Sequence, residues 1–317
     1  MIIAKRYSDD KIDLWNECNA KSKNSLFMFD RNYMDYHRDR FKDHSLLLYI
    51  DDDLIALFPA CEKENSLVSH GGLTYGGFIT NDKMKQHTMN DCFDALIQYA
   101  AEHGFDEIIY KTIPHIYHLQ PAEEDRYSLF AHGAKLTTVD ASTVINLSAP
   151  LKMPKGRKAQ ISRAKREGVE IKVLTELSDY EAFIDLENAV LEERHNTHAV
   201  HTAVELKLLH DKFPQSIKLY GALKDRKLIA GTVVYVYSQA IHTQYMAANE
   251  EARTIGALDL AVATVIDEFK TSKLWADFGI STEHGRIFLN EGLISQKEGF
   301  GGRTNIYDIW KIEVKEK

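Results

Sequence analysis

A carboxylate and a lysine near the end of the sequence are suited to proton transfer and to stabilising a negative charge. Glu283 follows a strand predicted over residues 274–279, and loops at strand ends often carry functional residues. A carboxylate there could take a proton from an attacking ammonium group. Lys297 precedes a glycine-rich segment ending at Gly302, where its ammonium group could stabilise an oxyanion. The alternatives are a surface ion pair between Glu283 and Arg286 and a solvated lysine.

Three histidines follow at intervals of three residues, at positions 195, 198 and 201. His195 and His198 would share a helix face, but His201 would not, and a capping box at Thr202 predicts a new helix directly after it. The spacing therefore does not predict a zinc site, and we expect no metal site. His195 and His198 are candidates for acceptor binding or proton transfer, with solvated loop histidines as the alternative.

Basic residues are concentrated between Lys152 and Lys172. This segment has eight basic and two acidic side chains, a net charge of +6, so the rest of the chain carries −14. A helical pattern spans residues 156–167, and cations suit the carboxyl end of a helix. The charge density also favours an anionic ligand, such as a nucleotide sugar, a lipid pyrophosphate or CoA phosphates, bound by Arg157 and Arg163. An anionic membrane surface is a further alternative.

Composition narrows the class of protein. The 317 residues, 44% of them hydrophobic, predict a globular protein of about two domains. The net charge of −8 disfavours binding of long nucleic acid. Cys18, Cys61 and Cys92 lack disulfide or metal spacing, which fits a reducing cytoplasmic setting. No apolar stretch has signal-peptide or membrane-spanning length, so we expect at most a peripheral membrane contact.

The predicted elements follow a similar order in the two halves. In the first half a hairpin over 46–60 precedes a helix over 90–103 and a strand over 107–111. In the second half, strands are predicted at 217–223, 228–237, 240–247 and 274–279, and a helix is predicted at 257–269. This order predicts an α+β protein with mixed sheets, built from two related domains at 1–150 and 151–317.

The second half resembles the C-terminal domain of Fem-type peptidyltransferases and their GNAT-like acyl-CoA N-acyltransferase relatives. The resemblance rests on the runs 275–283, 290–293 and 296–302 and on the basic opening at 155–168. It covers residues 155–314, whereas the first half is similar only in topology. It implies two GNAT-like domains in tandem and makes Lys297 the lysine of the family's F-K-x-x-F element, with Gln296 replacing the aromatic residue. No long helical arm fits between 178 and 211, which favours the acyl-CoA-using branch.

The family's phosphate loop, Q/R-x-x-G-x-G/A, corresponds to residues 253–258. Backbone N–H groups at a helix N-terminus hold pyrophosphate in such loops. The resemblance implies that Arg253, Gly256 and Ala257 bind acyl-CoA, such as acetyl-CoA, as a co-substrate, with no tightly bound cofactor. Leu258 replaces the small residue of the pattern. The alternative is that Gly256 merely begins a helix.

The resemblance implies an N-acyltransferase that moves an acyl group from acyl-CoA to an amine of an amino-sugar or cell-envelope polysaccharide precursor. The predicted catalytic residues are Lys297, Glu283 and Tyr245, and Gln244 and Arg286 are placed with the acceptor. Tyr245 as an ordinary core tyrosine is the alternative. Two other functions stay open: Fem-type aminoacyl transfer from charged tRNA to a peptidoglycan precursor, and a non-catalytic module that binds a glycan or lipid-linked ligand.

Overall fold

The computed structural model describes residues 1–195, 197–283 and 287–314. The chain divides into two compact units, Met1–Asp140 with Ile306–Lys317, and Ala141–Asn305. Along the chain, the first division falls after residue 140, whereas the boundary predicted from the sequence falls after residue 150. The final strand pairs within the first unit through Ile309–Glu313.

The first unit contains two sheets and the helices α1 to α4. Its strands are β1 (Ile2–Arg6), β2 (Lys42–Asp43), β3 (Leu46–Ile50), β4 (Asp53–Phe58), β5 (Cys61–Lys63), β6 (Ser66–Val68), β7 (Ile79–Thr80), β8 (Glu107–Lys111) and part of β17 (Arg303–Glu313). Its helices are α1 (Ile12–Ala20), α2 (Arg31–Met34), α3 (Gln86–Glu102) and α4 (Glu124–Ala131). The strand orders are β1-β3-β4-β7 and β17-β8-β6-β5-β2.

The core of the first unit forms where the amphipathic helix α3 packs on strands. Phe93 and Leu96, at helical spacing, share one apolar cluster with Phe58, Phe78 and Ile108. The hairpin predicted over 46–60 is confirmed as β3 and β4. The sequence missed the short strands β1 and β5 to β7, because runs of two to five residues carry little periodic signal.

The second unit is one sheet with helices packed against it. Its strands are part of β9 (Lys135–Asn146), β10 (Glu170–Leu174), β11 (Ile217–Lys224), β12 (Lys227–Val236), β13 (Ala240–Ala248) and β14 (Trp275–Ile280), with the separate hairpin β15 (Thr282–Glu283) and β16 (Phe288–Leu289). Its helices are α5 (Lys155–Arg166), α6 (Leu177–His195), α7 (Ala203–Lys212), α8 (Glu250–Ile255), α9 (Ala257–Phe269) and α10 (Glu291–Glu298). The strand order is β10-β11-β12-β13-β14-β9. Within the described ranges, no helix combines the length and the hydropathy needed to cross a bilayer.

Strands β13 and β14 separate partway along their length. They pair in parallel from Ala240 with Trp275 as far as His242 with Asp277, and β13 then continues to Ala248. The backbone turns at Gly279, which has a φ of +70°, and the register of β14 breaks there. A bulge in β13 leaves Gln244 without a cross-strand partner on β12. Among the described residues, no strand pairs with the side of β13 that faces β14 beyond His242, so this edge can accept a ligand.

The strands predicted at 217–223, 228–237 and 240–247 are confirmed as the antiparallel strands β11, β12 and β13, and the capping box at Thr202 is confirmed. Helix α6 begins at Leu177, and the Asp179 carboxylate in its first turn accepts hydrogen bonds from the backbone N–H groups of Thr175 and Glu176. Helix α10 precedes the glycine-rich residues 299–302 and contains Lys297, which the sequence suggested lies in a loop. The Asn290 side chain caps the first turn of α10. Another unexpected helix, α8, lies between β13 and α9.

Gly256 joins α8 to α9 in a conformation that only glycine adopts without strain. Its φ is +79°, and a Cβ atom added to it would lie 2.7 Å from the carbonyl oxygen of Gln160 in α5. Helix α5 therefore packs directly against the start of α9.

Replacing Gly256 by alanine should lower the free energy of unfolding by about 3 kcal/mol, because left-handed strain and a backbone clash add together. Gly168→Ala is the matched control, since Gly168 has a φ of +76° with no atom within 4 Å of its added Cβ. We expect it to cost only about 1 kcal/mol. Chemical denaturation of both variants measures the difference, and equal losses would contradict close packing of α5.

Candidate active site

A cleft of about 600 Å³ lies in the second unit, where the open edge of β13 meets helices α5, α8, α9 and α10. Met246 and Ala248, both beyond the last residue of β13 that pairs with β14, contribute to its wall. Arg157, Arg253 and Gly256, three residues predicted to bind ligand, also line it. Ala257 lies next in sequence and is fully buried.

The N-terminus of α9 opens into this cleft. Gly256 offers no side chain to cap the first backbone N–H groups of α9, which begins at Ala257. The positive end of a helix dipole with uncapped N–H groups favours an anion. Gly256 itself donates its N–H to Ala252 O at 2.9 Å, so the donors available to a ligand come from the first turn of α9.

An ion pair occupies the same end of α9. The guanidinium group of Arg157 donates to the Asp259 carboxylate, and both side chains are largely buried. The pKa of Asp259 is raised above its usual value, because the effect of burial is larger than the opposing effect of the Arg157 charge. Arg157 also donates to Gln296 O at 2.8 Å and lies 4.2 Å from the centre of the Phe300 ring. Arg157 therefore joins α5, α9 and α10 and neutralises a carboxylate at the position where an anionic ligand would bind.

A chain of buried hydrogen bonds marks the point where β13 and β14 separate. His242 Nδ1 donates to Asp277 Oδ2 at 3.0 Å, since an ionised carboxylate can only accept. The other carboxylate oxygen accepts from Ser142 Oγ at 2.6 Å and from the N–H of Gly279 at 2.9 Å. Asp277 is 1% and His242 6% exposed. This pairing fixes the tautomer of neutral His242, so that Nε2 is the nitrogen able to accept a proton.

More polar groups surround β13 near its bulge. The Tyr245 hydroxyl and His201 Nδ1 share a hydrogen bond of 2.5 Å. The Oε1 atom of Gln244 and the Oε2 atom of Glu187 are buried and have no hydrogen-bond partner among the described residues. Glu187 lies in α6, one turn before Val190 in the cleft wall, and burial raises its pKa to about 7. Unpartnered buried polar atoms beside a cleft suggest positions where a ligand supplies the partner.

Lys297 is a buried residue in the last turn of α10 rather than a loop lysine. Its ammonium group donates to the carbonyl oxygens of Gly279 at 3.0 Å and Ile280 at 2.6 Å, and the residue is 4% exposed. Burial lowers its pKa to about 8, although the Asp277 carboxylate opposes that shift. Lys297 thus holds the end of β14 in place and brings a positive charge close to Asp277.

The lowered pKa of Lys297 predicts a pH-dependent stability. Its usual value is 10.5, so between about pH 8 and 10.5 the unfolded chain binds the proton that the folded chain has released. The folded protein should therefore gain about 2 kcal/mol from pH 8 to pH 10, relative to Lys297→Met. Urea denaturation of both proteins across this range measures the gain. Parallel stability curves would contradict a buried ammonium group, and Lys83→Met, at an exposed position, should leave the slope unchanged.

Among the described side chains, Glu283, Arg163 and His198 do not line the cleft. Glu283 lies in the hairpin β15–β16, where it accepts from Asn290 Nδ2 at 2.7 Å. Arg163 is exposed on α5, and His198 is exposed in the segment before α7. His195 ends α6, with a side chain outside the described part of the structure, and Arg286 lies outside the described residues altogether.

His242, Asp277 and Glu187 are functional candidates that the sequence analysis missed. Asp277 stands between apolar residues in the run Trp275-Ala276-Asp277-Phe278, and an acidic residue in a buried strand needs a partner. That signal was present, but its partner His242 lies 35 residues away and is reached only through parallel pairing.

The comparisons with known proteins agree with this architecture. Residues 155–284 match the family model described as an acetyltransferase (GNAT) domain. The second unit therefore carries a GNAT-type acetyltransferase domain, and the protein is an acyltransferase enzyme, as the sequence predicted. No curated protein matches the sequence significantly.

Solved structures resemble the chain over nearly its full length. FemX superposes with a TM-score of 0.68 at 9% identity, covering 96% of each chain. L-PGS from Bacillus licheniformis gives 0.65 at 12% identity, over 99% of this chain and 94% of that one. A tandem GNAT protein from the clavulanic acid biosynthesis pathway gives 0.56 at 10% identity and covers both chains completely. The likeness shows the fold, so the predicted α+β, GNAT-like fold is confirmed.

Proposed function

We propose that the protein transfers an acyl group from acyl-CoA to the amine of an amino-sugar or cell-envelope precursor. The observation that carries this proposal is the His242–Asp277 hydrogen bond at the point where β13 leaves β14, on the same strand whose Met246 and Ala248 line the cleft at the N-terminus of α9. A base, an open strand edge and an anion-binding helix end are the three features that acyl transfer from a phosphorylated thioester requires.

The cleft suits a phosphorylated donor. The first N–H groups of α9 and the Arg253 side chain supply hydrogen bonds and positive charge, and Gln160 Oε1 in the cleft wall has no partner among the described residues. Arg157 cancels the charge of Asp259 and so removes the repulsion that a pyrophosphate would otherwise meet. The open edge of β13 at Met246 and Ala248 leaves backbone groups for the extended part of the donor.

His242 is the base that we assign to the reaction. The attacking amine nitrogen forms a bond to the thioester carbonyl carbon, and His242 Nε2 takes the proton that the nitrogen loses. The resulting imidazolium is stabilised by the Asp277 carboxylate. Collapse of the tetrahedral intermediate breaks the carbon–sulfur bond, and the sulfur leaves as a thiolate that takes the proton held by the His242 imidazolium, which restores the base. Glu283, the base predicted from sequence, stays the competing candidate.

Two further groups support an amine acceptor and a negatively charged intermediate. Glu187 is a buried carboxyl group whose Oε2 atom has no partner among the described residues, which suits an ammonium group in the cleft. Lys297 fixes the carbonyl groups of Gly279 and Ile280 and contributes positive charge near the reacting atoms. Tyr245, hydrogen-bonded to His201, is a candidate donor to the acyl oxygen.

Replacing His242 by glutamine should lower kcat by about 100-fold or more with little change in the KM for acetyl-CoA, because a general base acts in the chemical step. The assay measures free CoA thiol released from acetyl-CoA in the presence of a panel of amino sugars and nucleotide-linked amino sugars. Glu283→Gln serves as the matched control and should retain nearly full activity.

Loss of activity in Glu283→Gln but not in His242→Gln would assign the base to Glu283 instead. Thermal unfolding of both variants distinguishes a catalytic loss from a loss of folding. If no amine stimulates release of CoA thiol, the proposed donor is wrong.

A second candidate function is aminoacyl transfer from charged tRNA to a peptidoglycan precursor. The buried pair of Arg157 with Asp259 favours it, because the guanidinium charge is used within the protein and is not available to bind a pyrophosphate at the N-terminus of α9. Transfer that is abolished by ribonuclease and does not need acetyl-CoA would support this second function over the first.

A further inference from the structure

Helix α5 presents an unusual concentration of unneutralised positive charge. The exposed basic residues of this helix are Lys155, Lys158, Arg163, Lys165 and Arg166. None of them forms an ion pair with a carboxylate in the described part of the chain. Other exposed cations of the second unit lie outside this helix: Lys172 pairs with Glu170 and Lys270 with Asp267, and Arg226 and Lys227 lie at the turn between β11 and β12.

The helical geometry places these five cations on one surface, which we call the basic face of α5. Ala164 is fully buried and Ile161 half-buried, and both pack towards α8 and α9. With about 100° of rotation per residue, the five cations lie on the arc opposite Ala164. The 12 residues of α5 extend about 18 Å, so the basic face is a short stripe that points away from the core.

An apolar groove of about 390 Å³ runs beside the basic face. Its wall includes the apolar side chains of Met153, Ile161 and Leu260. Lys165, Lys270 and Asp267 also line it, and Lys270 pairs with Asp267, so Lys165 is the lining cation without a carboxylate partner among the described residues. Leu151, just before α5, is also exposed. Phosphate groups alone would not use such a groove, whereas a lipid surface offers phosphates and hydrocarbon together.

The charge of the rest of the chain argues against nucleic acid as the partner. Outside residues 152–172 the chain carries −14. A polynucleotide that extends beyond an 18 Å stripe would meet this negative background and be repelled. A bilayer contacts one face of the protein only, so a single basic stripe beside an apolar groove is sufficient.

We propose that the basic face of α5 and the adjacent groove dock the protein onto an anionic lipid surface. The cations contact lipid phosphates, and the groove covers apolar parts of the lipid. This inference does not rest on the proposed acyl transfer, because none of the five cations is assigned to the reaction.

Co-sedimentation with vesicles of phosphatidylglycerol and phosphatidylcholine in equal parts tests the proposal on the full chain. Each basic residue near an anionic surface strengthens binding about fivefold, so the triple variant Lys158→Gln, Arg163→Gln, Arg166→Gln should bind on the order of 100-fold more weakly. The matched control is Lys83→Gln, Lys85→Gln, Lys227→Gln, which removes the same charge from exposed positions outside α5. It should bind as the unaltered protein does.

Binding to these vesicles that weakens with added salt and is absent with pure phosphatidylcholine supports the proposal. Equal weakening in both triple variants would show a non-specific charge effect and overturn it. Absence of vesicle binding, or binding to tRNA that competes fully with the vesicles, would also overturn it. Unchanged thermal unfolding of the variants shows that the comparison is made between folded proteins.

Discussion

The buried carboxylate of Asp277 holds the candidate active site together. It joins three segments of the second unit: Ser142 in β9, His242 in β13 and the Gly279 backbone after β14. An ionised carboxylate so deeply buried is tolerated only when hydrogen bonds replace its water, and three donors do so here. The strands separate immediately beyond this contact. The same carboxylate therefore orients the histidine and fixes the place where a ligand can approach the edge of β13.

Arg157 plays a comparable part at the other end of the cleft. It connects α5 to Asp259 in α9, to the last turn of α10 and to the Phe300 ring. The sequence predicts that Arg157 and Arg163 bind the same anionic ligand, but the structure places them on different sides of α5. Arg157 faces inwards and is neutralised by Asp259, whereas Arg163 and its neighbours face outwards. The inward residue forms part of the cleft wall, and the outward ones are exposed to solvent.

The sequence predicted elements whose signals are local, and it missed features that depend on distant contacts. The β11–β13 meander follows from short turns between apolar runs, and α7 follows from the capping box at Thr202. Helix α10 was missed because Gly292 and the glycines after residue 298 suggest a loop, although Asn290 provides a helix cap. The resemblance directed attention to Lys297 and to residues 253–257, and the structure places Arg253 and Gly256 at the cleft.

The chemistry of the site was harder to predict because its partners are far apart in sequence. His242 meets Asp277 only because β13 and β14 run parallel, which requires α8 and α9 as a crossover between them. Arg157 and Asp259 lie 102 residues apart. Neither pair has a sequence spacing that belongs to a known motif. The sequence signal that points to this site is an acidic residue, Asp277, within an apolar strand.

Hydrogen–deuterium exchange with and without acetyl-CoA tests most directly whether the cleft at α9 holds the acyl donor. The account predicts slower exchange in the first turn of α9 and in α10, because a bound pyrophosphate would accept hydrogen bonds from the uncapped N–H groups and close the cleft. Exchange that is unchanged there at saturating acetyl-CoA, or slowed only in other parts of the chain, would contradict it.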